Sequence, residues 1–127
     1  MKPLTREWRE KAEGDLGTAE RESVGPNPDA VAFHAQQCAE KYIKAVLCER
    51  DIVFARTHDL VNLARLVSPP SDALLALSPR LKALTTSAVE VRYPGSVTTS
   101  DEAKESLATA RDVRQICRNL IGQTSTE

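Results

Sequence analysis

The chain has 127 residues and a formal net charge of −1, with 41% hydrophobic and only 4% aromatic residues. That length suits one domain, expected over residues 1–127, and the scarcity of aromatics excludes a core of the kind a β-sandwich needs. The charge balance excludes an overall basic field of the sort that binds nucleic acid non-specifically, leaving room only for a local patch.

The segment MKPLTREWREKAE holds no apolar run, so no signal peptide is expected, and no 18-residue apolar window suggests a membrane span. Cys38, Cys48 and Cys117 are odd in number and lack a CxxC spacing, which points to a reducing, cytoplasmic setting and inert core thiols. Cys38 and Cys48 would lie about 15 Å apart on one helix and cannot bridge.

The first predicted helix runs from about Leu4 to Ser23, with Pro3 at its start. Leu4, Trp8, Ala12, Leu16 and Ala19 form its apolar stripe. Gly14 and Gly17 weaken it unless another helix approaches there. VGPNP, residues 24–28, reads as a turn. A second helix is expected from Pro28 to Arg50, capped by Asn27. Val31, Ala35, Cys38, Tyr42 and Ala45 make one stripe, widened by Ala32, Ala39, Ile43, Val46 and Leu47. A helix apolar around so much of its circumference is central, or also faces a partner.

A short helix at 57–67 follows, with Thr57 as cap and Leu60, Leu63 and Val67 inward. SPPS, residues 68–71, ends it. Leu74, Leu77, Leu81, Leu84, Ala88 and Val91 then step by three and four, with Pro79 dividing a piece at 72–77 from a helix at 79–91. Pro94 and Gly95 stop that helix. The last helix is expected from Ser100 to Ile121, along Ala103, Leu107, Ala110, Val113, Cys117 and Leu120, with Gly122 closing it and QTSTE fraying. No stretch alternates with period two. The fold class is all-α, an antiparallel bundle of four long helices plus a short one.

FHAQQCAEKYIKAVL at 33–47, RTHDLVNLARLV at 56–67 and VRYPG at 91–95, after Trp8, Ala12, Asp15-Leu16 and Ala19, resemble the prokaryotic HEPN domain in order and spacing. The resemblance spans essentially the whole chain and implies the same small helical bundle. It also implies one of two roles. Some HEPN proteins are metal-independent RNases, often toxins neutralised by a nucleotidyltransferase encoded beside them. Others lack the nuclease motif and bind nucleotides or accompany such a transferase.

That motif is an arginine, four to six residues, then a histidine. Counted from Arg92 the histidine falls at 97, 98 or 99, where the chain has Val97, Thr98 and Thr99. The two histidines, His34 and His58, do not follow an arginine at that spacing. RNA cleavage without metal needs groups that take and return protons near neutral pH, which imidazole does and guanidinium does not. The expectation is therefore a nucleotide-, nucleic-acid- or partner-binding HEPN module with no catalytic residues, a homodimer that pairs with a nucleotidyltransferase. The alternative is an RNase toxin using displaced residues, His34 or His58.

Arg92 heads the candidate phosphate ligands, against a plain role at a helix C-terminus. His34, Gln37 and Lys41 share one helical face and could line a cleft with it, against a hydrogen-bonded rim. Arg114, within the stripe Arg111, Arg114 and Arg118, could hold phosphate, against a solvated face balanced by Asp112. Tyr93 and His58 complete the candidates, against turn packing and a backbone or water contact. Two distant histidines and scattered cysteines offer no metal site, and no cofactor is expected.

Overall fold

The computed structural model describes residues 1–90 and 93–125. Their helices are α1 (Pro3–Glu22), α2 (Pro28–Glu49), α3 (Leu60–Leu66), α4 (Asp72–Leu75), α5 (Ser78–Glu90) and α6 (Ser100–Ser125). No strand occurs among the described residues. The all-α bundle expected from periodicity is the observed architecture.

The hairpin of α1 and α2 organises it. Asn27 caps α2 by accepting the Ala30 N–H at 3.3 Å, and Pro28 fills the first turn, where an N–H would lack a partner anyway. At the other end, Glu49 accepts from the Lys2 backbone N–H and the Thr5 hydroxyl, both at 2.9 Å. The start of α1 is thereby fastened to the end of α2. α2 packs most extensively on α1 and α6, and also on α3 and α5. From Val31 to Leu47 most of its side chains are buried, including Gln36, Glu40 and Lys44. The wide apolar surface read from the sequence is therefore used inside the chain.

Several expectations need correction. Leu4 belongs to the α1 stripe by spacing but is 54% exposed, and it is the neighbouring Thr5 that is buried, bonded to Glu49. Gly14 and Gly17 meet no neighbouring helix. α3 begins at Leu60, not Thr57. Asp59 is its cap, accepting from Val61 N–H at 3.1 Å and Asn62 N–H at 3.2 Å, while Thr57 accepts the Asp59 N–H, outside the helix. Gly122 does not close α6. The helix continues to Ser125, held by Arg50 Nε donating to Thr124 Oγ1 at 3.3 Å. Cys38 and Cys117 are buried, but Cys48 is only partly so. Burial pushes the Cys38 thiol up to about 12 and raises Cys117 as well, so both are inert at neutral pH.

The α5–α6 connection bends at Gly95, whose φ of +92° is costly for a side-chain-bearing residue. It then locks onto the bundle, with the Thr98 N–H donating to Asp29 Oδ1 at 2.8 Å. A reciprocal capping box opens α6: Thr99 N–H to Glu102 Oε1 at 2.9 Å, and Glu102 N–H to Thr99 Oγ1 at 3.1 Å.

Asp59→Ala should lower the unfolding free energy by about 1 kcal/mol in urea denaturation, and Thr57→Ala by less.

Candidate functional site

Two carboxylates organise the polar seam between the first three helices. The first is Glu40, buried in the middle of α2. It accepts from Lys44 Nζ at 2.9 Å and Gln36 Nε2 at 3.0 Å, one turn away on either side. His58, just before α3, brings Nδ1 to 2.9 Å. Gln36 also donates to the His58 carbonyl at 3.2 Å and accepts from Gln37 Nε2 at 2.8 Å. Burial pushes the Glu40 carboxyl up, but hydrogen bonds from Lys44, His58 and Gln36 together outweigh it and hold the group below its ordinary value. The Lys44 ammonium lies 5.5 Å from the Trp8 ring centre and 5.6 Å from that of Phe54. Those rings meet edge to face at 6.4 Å.

The second carboxylate is Asp15 on α1. Its Oδ1 lies 2.9 Å from His34 Nδ1, and its Oδ2 accepts from Lys41 Nζ at 2.5 Å. The Phe33 ring stands edge to face with the imidazole, 5.2 Å between centres. The same unit thus occurs twice: a carboxylate held between one histidine Nδ1 and one α2 lysine. An ionised carboxylate at Nδ1 places the proton there and leaves Nε2 as the outer nitrogen. Such an imidazole is oriented for ligand hydrogen bonding or proton transfer. The His34 side chain is 30% exposed and that of His58 59%. No group of three or more histidine, cysteine, aspartate or glutamate residues suited to a metal occurs among the described residues.

The sequence candidates divide accordingly. His34 and Lys41 converge on Asp15, while Gln37 turns along α2 to Gln36. His58 meets a carboxylate, not the backbone or water partner expected. Arg114 does not join this seam. Its guanidinium grips Glu13 through Nε and Nη2, with contacts of 2.8–3.1 Å. That fork holds the Glu13 carboxyl below the usual range and raises Arg114. Arg111 pairs with Glu20, and Asp112 pairs with Arg80, so Asp112 does not balance the stripe. Tyr93 is 64% exposed. Arg92 and Val91 lie outside the described residues. Where the nuclease motif requires histidine, Val97 is exposed, Thr98 is buried and Thr99 caps α6.

A family model described as the HEPN domain matches residues 5–120. The chain belongs to the HEPN family. It is 29% identical over 110 residues to the protein named "Putative toxin MJ1304" from Methanocaldococcus jannaschii, covering 74% of this chain and 72% of that one. Its fold is similar to the crystal structure of TT1696 from Thermus thermophilus, with a TM-score of 0.77 and 25% identity over 91% of this chain and 97% of that one. It also resembles ST0689, an archaeal HEPN homologue, with a TM-score of 0.74 and 24% identity over 95% and 99% of the two chains.

Within this HEPN fold, the stretch that carried the resemblance supplies most of the seam: His34, Gln36, Gln37, Glu40, Lys41 and Lys44, with His58 from RTHDL. Sequence reasoning missed Asp15, Gln36, Glu40 and Lys44. The signal available was the line Gln36, Glu40, Lys44, spaced by four through an otherwise apolar helix.

Glu40→Ala leaves Lys44 buried without its partner and should cost about 3–5 kcal/mol at pH 7. Glu40 has a lowered pKa in the folded state, so its stabilisation is present above the ordinary value of 4.5 and fades as pH falls through the folded-state value below it. The stability gap between wild type and Glu40→Gln, measured by thermal melts from pH 7 to pH 3, should narrow on acidification.

Proposed function

We propose that this protein is a nucleotide- or nucleic-acid-binding HEPN module, a cytoplasmic homodimer working beside a nucleotidyltransferase partner. The observation that carries the reading is the partly exposed pair His34 and Lys41, both held by Asp15, with Gln37 between them on α2. Asp15 takes one of the three donors of the Lys41 ammonium, leaving two for a phosphate. His34 offers Nε2, and Gln37 retains its carbonyl oxygen. The face provides donors for phosphate beside groups suited to a base edge or ribose. The loop after α5 carries no imidazole, so the motif chemistry of HEPN nucleases has no proton carrier there.

One observation favours a second reading, a metal-independent RNase toxin. Two histidines are each held by a carboxylate through Nδ1, as a proton-transferring imidazole requires. The name of the Methanocaldococcus relative agrees with it.

Thermal melts with ATP and with a short oligoribonucleotide test the first reading. Either ligand should raise the melting temperature of the wild type, and less so that of Lys41→Ala; no rise with either sinks it. Incubation with RNA in the presence of a chelator tests the second. The binding reading expects no cleavage, whereas cleavage lost in His34→Ala or His58→Ala would establish the nuclease.

A further inference from the structure

Between α5 and α6 runs a groove of about 320 Å³. Arg80 closes one end, where its Nη1 meets Asp112 Oδ2 at 2.8 Å and its Nε donates to Thr109 Oγ1 at 3.2 Å. Ser87 and Glu102 border the other end, where a smaller hollow continues to Val97. Ala83 and Leu84 of α5 supply its apolar lining. Small side chains leave the room, Ala83 and Ser87 on one helix and Ser106 and Thr109 on the other. The volume falls within the range of small-molecule sites, roughly 300–1,000 Å³.

The polar groups along the groove differ. At the Arg80 end they are engaged, since Thr109 also donates its hydroxyl to the Glu105 carbonyl at 3.0 Å. Further along they are not. Ser106 borders the groove and is only 5% exposed, and its side chain makes no hydrogen bond among the described residues. A hydroxyl so buried ordinarily has a partner. Asp101 and Glu105 line the same groove one helical turn apart, about 5–6 Å between Cβ atoms. Both are exposed, and neither side chain makes a hydrogen bond or an ion pair among the described residues. Glu102 gives Oε1 to the Thr99 N–H and keeps Oε2. One hydroxyl and three carboxylates therefore stand ready to accept from a cation. The carboxylates are spread out rather than gathered: no group of three or more histidine, cysteine, aspartate or glutamate residues suited to a metal occurs among the described residues. A cation that satisfies them carries its charges apart, and one that lies on Ala83 and Leu84 has methylenes between those charges.

We propose that the α5–α6 groove binds an aliphatic polyamine, its ammonium groups donating to Asp101, Glu105 and the Ser106 hydroxyl and its methylene chain lying over Ala83 and Leu84. An ammonium has three donors, so one nitrogen can meet a carboxylate and the hydroxyl together. Such charge-assisted bonds are stronger than neutral ones, and an apolar lining is a poor surface for a hydrated metal ion. The groove shares no residue with the set His34, Gln37 and Lys41, so this site stands apart from the function proposed above.

Titration calorimetry of the whole chain with spermidine, at constant ionic strength set with sodium chloride, tests it. Spermidine should bind one to one, and magnesium chloride should not displace it. Asp101→Asn combined with Glu105→Gln changes two exposed side chains and should weaken binding about tenfold or more. Ser106→Ala should weaken it about threefold. Ala83→Leu keeps every charge, alters an exposed helical position and fills the groove, so it should abolish binding. Thermal melts without ligand verify that each variant is folded. The inference is overturned if spermidine does not bind, if any of the three variants binds as the wild type does, or if magnesium displaces the amine. Binding lost in His34→Ala would place the amine on the other face and overturn this site as well.

Discussion

The burial of α2 on nearly every side is the constraint from which the rest of the molecule follows. A helix packed on α1, α3, α5 and α6 leaves no solvent for the polar groups of its inner faces, Gln36, Glu40 and Lys44 among them. A buried carboxylate or ammonium is tolerated only when paired and hydrogen-bonded. Glu40 and Lys44 therefore hold each other, and Gln36 and His58 complete the carboxylate's shell. Each of these bonds also fixes position. His58 ties the approach to α3 onto α2, and Asp15 ties α1 to it through His34 and Lys41.

The same economy of partners shapes what the surface offers to ligands. On the α1–α2 side, carboxylates orient imidazoles and engage lysines without exhausting them, because an ammonium has three donors. On the α1–α6 side, Glu20 and Glu13 occupy the Arg111 and Arg114 guanidinium groups. A guanidinium already gripped by a carboxylate is a poor free anion site, which is why the stripe read on the last helix differs from residue to residue. Arg111 and Arg114 are engaged, whereas no ion pair of Arg118 occurs among the described residues.

The loop between α5 and α6 shows how local chemistry and long-range docking combine. Gly95 supplies the turn, and the Thr99–Glu102 box starts the next helix. Asp29, 69 residues away in sequence from Thr98, fastens the loop to the N-terminal end of α2. In the family's nuclease motif a histidine belongs in this stretch, and here its places hold a valine and two threonines.

Helix periodicity, caps, proline breaks and the census of histidines are properties of neighbouring residues, so the helical class, most inward faces and the missing imidazole were legible before any coordinates. Misreadings arose where an end was decided by contacts from elsewhere: Asp59 rather than Thr57 capping α3, and α6 running past Gly122 onto Arg50. The pairings of Asp15 with His34 and Lys41, Glu40 with His58, and Glu13 with Arg114 join residues 18–101 positions apart. Spacing along a helix says which residues share a face. Only the docking of one helix on another decides which charge that face meets, because Coulomb and hydrogen-bond energies depend on distances that the local pattern does not contain.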